Sequence, residues 1–248
     1  MADHDFLATS FGGATGEYEA GRPDYPLDAV RWLLPTIDGR AVRVVDVGAG
    51  TGKLSRGLRD AGADVVAVDP DPGMLDALRA TSSGIPAFVG RGEDLPLPDD
   101  SVDAVVFGQS WHWVRPPAAS AEAARVLRPG GVLGLIWNIR DEAVEWVARM
   151  GSIMDGSAAE RMLAAGHPPV SSPFGPLEEE TWSWSRPMTR FDLRAMAFSR
   201  SHVITASDDE RARIDAELAD LFDDIGAVGD EVVDVPYLTY AFRARVAV

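Results

Sequence analysis

Between Val42 and Asn138 the chain repeats one pattern: a short apolar run rich in β-branched residues, a turn, then a stretch with helical periodicity. "VRVVDV", "DVVAVD", "PAFVG", "VDAVVFG" and "VLGLIWN" read as strands. Between them, "TGKLSRGLRDAG", "DPGMLDALRA" and "PAASAEAARVLRPGG" read as helices, the last ending at its glycines. Strands this continuously apolar are buried on both faces, and strands joined by crossover helices run parallel. The expected fold class is therefore α/β, a doubly wound sheet with helices on both sides.

Beyond Asn138 the rhythm changes. "DEAVEWVARMGSIMDG" and "AAERMLAAG" look helical, and a loop rich in proline and acid, "GHPPVSSPFGPLEEE", follows. "TWSWS" alternates as a strand does, and "TRFDLRAMAFSRS" is helical. "SDDERARIDAELADLFDDIG" opens with Ser207 and Glu210 at capping-box spacing. The tail "YLTYAFRARV" supplies a last strand. With no internal repeat in 248 residues, we expect a single domain in three parts. Residues 1–40 would cover the ligand site, 41–140 would form the binding core, and 141–248 would end the sheet and add a helical cap that shapes a substrate pocket.

Charge and composition remove several functions. A formal net charge of −16 repels phosphate backbones, so nucleic acid is a poor partner. No apolar run approaches the roughly 20 residues needed to cross a bilayer. "MADHDFLATSFGG" also lacks the basic start and apolar stretch of a secretory signal, so a soluble cytoplasmic protein without membrane partners is expected. The absence of cysteine excludes disulfides, thiolate zinc sites and a cysteine nucleophile. No histidine pair has metal-ligand spacing such as H-E-x-x-H, and no G-x-S-x-G elbow occurs, so no metal is expected.

The loop after the first strand, "VVDVGAGTGKLS", carries the chemistry. A dinucleotide loop, G-x-G-x-x-G, needs a third small residue where the helix packs on the strand. Gly48 and Gly50 fit that pattern, but the third such place holds Lys53, and the third glycine, Gly52, comes one residue early. Asp46 stands just before the first glycine. A carboxylate there suits a ligand with an ammonium group and repels pyrophosphate, while glycines let the backbone approach closely. Asp69 ends the second strand about twenty residues on, where an acid can accept both ribose hydroxyls. Ribose plus ammonium points to S-adenosyl-L-methionine. A bare strand-to-helix turn would explain the glycines singly, and a helix N-cap would explain Asp69.

In series these segments resemble the class I S-adenosylmethionine-dependent methyltransferases. "VVDVGAGTG" matches their first motif and "VVAVDPDPGML" the segment after it. "VGRGEDLPLPDDSVDAVVFGQSWHW" and "RVLRPGGVLGLIWN" look like their later strands. "YEAGRPDYP", "QSWHW", "WNIRD" and "VPYLTY" are similar to the trans-aconitate methyltransferase-like branch. The resemblance implies a Rossmann-like, seven-stranded sheet, parallel with an antiparallel last strand, and methyl transfer to a small-molecule acceptor. Residue by residue, it implies that Asp46, Gly48, Ala49, Gly50 and Gly52 hold the methionine moiety and Asp69 the ribose, while Pro70 and Met74 pack on adenine. Gly92 and Glu93 would meet the adenine edge, because the family's usual D-A-E reads here as Arg91, Gly92 and Glu93. Gln109 and Ser110 would lie below the sulfonium. Tyr18 and Arg22 precede the core, and Arg22 would either clamp the donor carboxylate or stand solvated at a helix start.

His112, between Trp111 and Trp113, falls where an acceptor would face the methyl. It is the candidate base or acceptor-orienting group, and the plainer alternative is a packed, hydrogen-bonded histidine. One tryptophan would bury in the core and the other would wall the pocket. His4, His167 and His202 are weaker candidates, and Glu178–Glu180 reads as a solvated face. Arg140, Arg200, Arg243 and Arg245 offer recognition of an anionic acceptor. Two alternatives to a small-molecule enzyme remain at this stage: a protein methyltransferase and a donor-binding regulator without catalysis. A dehydrogenase is the residual reading.

Overall fold

The computed structural model describes residues 22–154, 158–200, 203 and 206–246. Tyr18, His4 and His202 lie outside these residues. The predicted strands form as β1 (Arg43–Val47), β2 (Asp64–Asp69), β3 (Ala87–Val89), β4 (Val102–Gly108), β5 (Leu127–Arg140), β6 (Glu178–Thr189) and β7 (Val232–Arg245). They make one seven-stranded sheet in the order β3-β2-β1-β4-β5-β7-β6. β1 to β5 pair in parallel, and β7 runs antiparallel to both β5 and β6. Six strands thus share one direction and β7 opposes them, as expected.

The continuous apolar runs divide between two faces. Val44, Ala104, Val106 and Ile136 meet α1 (Leu27–Trp32), α2 (Lys53–Asp60) and α3 (Pro72–Thr81). Their neighbours Val45, Val105, Phe107, Leu133, Leu135 and Trp137 meet α4 (Pro116–Val126) on the other face. The central strands β1, β4 and β5 are therefore apolar on both faces along most of their length. The helix expected to run through "RPGG" stops instead at Val126, and β5 begins at Leu127, which pairs with Val102. Gly130 has φ +79, a conformation that a helix interior does not use.

The later half makes a third core. α5 (Glu145–Met154), α7 (Arg190–Phe198) and α8 (Asp208–Asp224) pack Val147, Met150, Leu193, Leu218 and Phe222 around Val235 and Tyr237. α6 (Ala158–Ala164) lies between α5 and β6 in the chain. β5 pairs with β7 only as far as Arg140 opposite Tyr237, whereas β6 and β7 stay paired out to Thr189 opposite Val232. The β6–β7 pair therefore projects past the carboxyl end of β5 and carries the helical layer to that side of the sheet. The proline-rich loop is shorter than expected, because Glu178–Glu180 already belong to β6, with their side chains exposed. No helix among the described residues is long and apolar enough to cross a membrane.

Candidate functional site

At the carboxyl ends of β1 and β4 lies a cleft of about 460 Å³ whose walls include Arg22, Asp46, Gly48, Ala49, Gly50, Lys53 and Gln109. Asp46 is fully buried. Ser55 donates its hydroxyl to Asp46 Oδ2 at 2.6 Å, and Oδ1 has no partner. Burial pushes this carboxyl up to about 7, with the nearby Asp69 charge adding to the shift and the Ser55 bond opposing it. An orphaned carboxylate oxygen lining a cleft is a seat for a cationic donor such as an ammonium group.

The glycine loop is unsuited to phosphate. The N–H groups of Gly48 and Ala49 both donate to the Val68 carbonyl, Gly50 N–H to Asp69 Oδ2 and Gly52 N–H to the Ala49 carbonyl. A phosphate cradle needs such donors unspent and turned outward. Gly48 has φ +69, and a Cβ there would come 2.5 Å from Ser110 Cβ, so the loop and the end of β4 touch as backbone against side chain. Gly50 has φ +54 with nothing within 4 Å of its Cβ position, which leaves that side open to a ligand.

Asp69 is also nearly buried, and desolvation raises it to about 6. Oδ2 accepts from Gly50 and Oδ1 from the Asp71 N–H at 2.8 Å, leaving each oxygen a further lone pair for a hydroxyl. The N-cap role weighed for Asp69 belongs to Asp71, whose Oδ1 accepts from Gly73 at 2.8 Å. Met74 is buried and Pro70 half-buried at the start of α3. Gln109, at φ +57, is a non-glycine residue in the left-handed region where β4 ends, and its Nε2 donates to the Asn138 carbonyl at 2.8 Å. Strain of that kind is common at ligand sites.

Gly52, Asp69, Pro70 and Met74 are not part of the cleft lining itself, and neither are Gly92, Glu93, Ser110 and His112. Ser110 is buried and donates to the Val47 carbonyl at 2.7 Å. Gly92 has no room for a side chain, since a Cβ would lie 2.8 Å from Val114 Cγ1. Glu93 Oε1 accepts from the Arg115 N–H at 2.8 Å, tying this segment to the start of α4. Trp111 is the tryptophan that buries, with its ring edge-on to Phe107 and its indole donating to the Pro169 carbonyl. Trp113 is half-buried and tilts against the half-buried His112 ring at 4.8 Å. The Trp137 indole N–H points to His112 Nδ1 at 3.5 Å, the outer limit of a hydrogen bond.

Arg22 is half-buried in the cleft wall and precedes α1 by four residues without regular secondary structure, so it is no solvated helix start. It also lines an adjoining cleft of about 420 Å³, together with Gln109, Asn138, Arg140, Glu160, Arg200 and Tyr237. Asn138, which the sequence reading passed over, is the hub of the join. Its Nδ2 donates to the Asp24 carbonyl at 3.1 Å, and Thr239 donates to its Oδ1 at 2.6 Å. A polar side chain closing an apolar strand at its carboxyl end was the available signal. Arg243 instead lies over Trp32 and pairs with Glu178, and Arg245 donates to the Gly130 carbonyl, so neither faces the clefts. The exposed His167 pairs with Glu179. No cluster of metal-ligating side chains occurs among the described residues.

Sheet order and cleft position together define a Rossmann-like fold with its cleft at the carboxyl ends of the strands, where open α/β sheets hold their ligands. A methyltransferase-domain family matches residues 45–135. An uncharacterized methyltransferase of Mycobacterium tuberculosis is 43% identical over 244 residues, covering 97% of each chain. An uncharacterized methyltransferase-like protein of Schizosaccharomyces pombe is 32% identical over 258 residues, 99% of this chain and 98% of its own. A solved structure from Anaeromyxobacter dehalogenans, given the working assignment of type II methyltransferase, shares the fold with a TM-score of 0.66 at 24% identity, covering 91% of this chain and 98% of that one. The chain belongs to the methyltransferase family and is an enzyme of that class.

Proposed function

We propose that this S-adenosylmethionine-dependent methyltransferase moves the methyl group in line to a small-molecule acceptor held under the helical layer. The observation that carries the reading is the junction of two clefts, one lined by the orphaned Asp46 carboxylate and the other by polar side chains, both sharing Arg22, Pro23 and Gln109. The donor, when bound, supplies a methyl on a positively charged sulfur that is already an activated leaving group. The chain's own contribution is to hold the donor, aim the acceptor and exclude water.

Asp46 Oδ1 takes the donor ammonium, Asp69 accepts from the ribose hydroxyls, and Arg22 pairs with the donor carboxylate. Pro70, Met74 and the backbone at Gly92 form the adenine side, with the second oxygen of Glu93 as the remaining acceptor there. Gln109, fixed by the Asn138 carbonyl, faces both clefts and lines the path between donor and acceptor. His112 orients the acceptor or takes its proton. The relatives that match along the whole chain name no acceptor, so the narrower likeness to the trans-aconitate branch is no part of this reading. Net charge supports a small acceptor over a nucleic acid.

The decisive experiment incubates the protein with methyl-labelled donor and a metabolite extract. Label in a low-molecular-weight product is expected. Label confined to protein would replace this acceptor class, and S-adenosylhomocysteine failing to raise the melting temperature where NAD does would remove the donor itself.

A further inference from the structure

Two arginines in the acceptor cleft have no task in methyl transfer itself. Arg140 ends β5 and Arg200 follows α7, and their side chains are only 3% and 13% exposed. Both turn onto Glu160 of α6. Arg140 Nη2 lies 3.0 Å from Glu160 Oε1, while Arg200 Nη2 lies 2.9 Å from the same oxygen and Nη1 donates to Oε2 at 3.3 Å. One carboxylate thus serves two guanidinium groups, and Arg140 Nε stays buried with no acceptor.

Such an arrangement is costly without a further anion, because a buried cation needs full pairing. Desolvation and the Arg200 charge pull Arg140 down to about 10, with Glu160, Tyr237 and Glu142 opposing, so it is still a cation at neutral pH. Within this cleft the other groups beside it are uncharged: the Tyr237 hydroxyl donates to Met196 Sδ, and Ser199 donates to the Met196 carbonyl. On its other side Arg140 lines a wider pocket with the more exposed Asp141, Glu142 and Glu179. Among the described residues, the charged side chains lining this cleft are Arg22, Arg140, Arg200 and Glu160. With Arg22 matched to the donor carboxylate, one positive charge is left over among the described side chains of this cleft, and the more exposed carboxylates of the wider pocket beyond Arg140 are screened by solvent.

We propose that Arg140 and Arg200 form an anion-binding subsite that grips a carboxylate of the acceptor, a handle distinct from the atom that receives the methyl. This rests on the methyl-transfer reading above. A single surplus charge matches a monoanion, and a phosphate monoester would overcompensate it. Planar guanidinium groups fit a planar carboxylate better than an ammonium would. A carboxylate held this way has its lone pairs engaged and its charge stabilised, which makes it a poor nucleophile. The methylated atom therefore lies elsewhere on the acceptor, toward Gln109.

Binding of matched probes to the S-adenosylhomocysteine-loaded protein tests the subsite. Hexanoate is expected to bind at least about tenfold more tightly than hexanamide, a preference that charge-assisted pairing supplies. Inorganic phosphate is expected to bind more weakly than hexanoate. Arg200→Ala and Arg140→Met should each abolish the acid-over-amide preference, and Arg140→Lys should keep part of it. S-adenosylhomocysteine affinity and melting temperature report whether each variant is folded, and Arg200→Ala carries the test alone if Arg140→Met does not fold. Equal binding of acid and amide, no binding of the acid, tighter binding of phosphate, or an unchanged preference in Arg200→Ala would each overturn the proposal. If S-adenosylhomocysteine fails to bind the wild type, the donor assignment falls instead, and the acid-over-amide comparison is still read on the ligand-free protein.

Discussion

Asp46 concentrates the tension of the site in one side chain. Its buried, half-partnered carboxylate is raised to about 7, so folding makes it harder to ionise. An ammonium at Oδ1 restores the charged form, and binding should therefore follow its ionisation. We expect S-adenosylhomocysteine to bind up to about tenfold more tightly at pH 8 than at pH 6, measured by calorimetry, because binding selects the deprotonated group. Asp46→Asn should weaken binding by about tenfold or more and flatten that pH dependence, while melting no lower than wild type without ligand. A variant that keeps the pH dependence would move its origin to another group. His112 offers a second test at this scale. If the Trp137 indole donates to Nδ1, neutral His112 carries its proton on Nε2, and an acceptor held by it as proposed would meet a donor there. His112→Ala with saturating donor should lose about tenfold or more in kcat, and undiminished turnover would end any catalytic role. The Asp46 and glycine pattern was legible in the sequence because both act locally, through backbone conformation and adjacency. That the loop N–H groups are spent on Val68, Asp69 and Ala49 was not, since it depends on how β2 meets the loop.

At the scale of elements, the site depends on a relay across three neighbouring strands. The Trp184 indole on β6 donates to Thr239 on β7 at 2.9 Å, Thr239 donates to Asn138 on β5, and Asn138 donates to the Asp24 carbonyl ahead of α1. The same Asn138 offers its carbonyl to Gln109. Cap, sheet and N-terminal segment are joined through one side chain. Asn138→Ala leaves the buried Thr239 hydroxyl proton without its acceptor and releases Asp24, at a cost of about 1–3 kcal/mol in stability by denaturant titration. The larger effect should fall on donor affinity, because Arg22, Pro23 and Tyr25 are fastened through Asp24. Unchanged donor affinity with lowered stability would confine the relay to a structural part. Strand identities were legible from apolar runs, whose period is local. The β6–β7 projection that carries the cap was not, because register between Thr189 and Val232 is set by pairing across a long stretch of chain. For the same reason the convergence of Arg140 and Arg200 on Glu160 was hidden: the three lie on β5, after α7 and on α6, and only the tertiary fold selects them from Arg243 and Arg245.

For the whole molecule, the site at one end of the strands and Asp103 near the other end of β4 pull stability in opposite directions with pH. Asp46 and Asp69 sit above the ordinary carboxylate range, so between about pH 4 and 7 the folded chain binds more protons than the unfolded one and stability falls as pH rises. Asp103 does the reverse. Hydrogen bonds from Arg40, the Arg43 N–H and Arg128 hold it well below the usual range, so its contribution is present above about pH 4 and lost as pH falls below that. A net charge of −16 adds self-repulsion on the alkaline side. The ligand-free protein should therefore melt highest near about pH 5 and several degrees lower at pH 8, at constant ionic strength. Saturating S-adenosylhomocysteine should lift the curve and flatten its alkaline slope, since an ammonium at Oδ1 stabilises ionised Asp46 and leaves Asp103 untouched. The acid limb should keep its shape. A ligand-free melting temperature that rises steadily from pH 5 to 8 would mean that Asp46 and Asp69 ionise without penalty, and the ammonium seat would lose its physical basis.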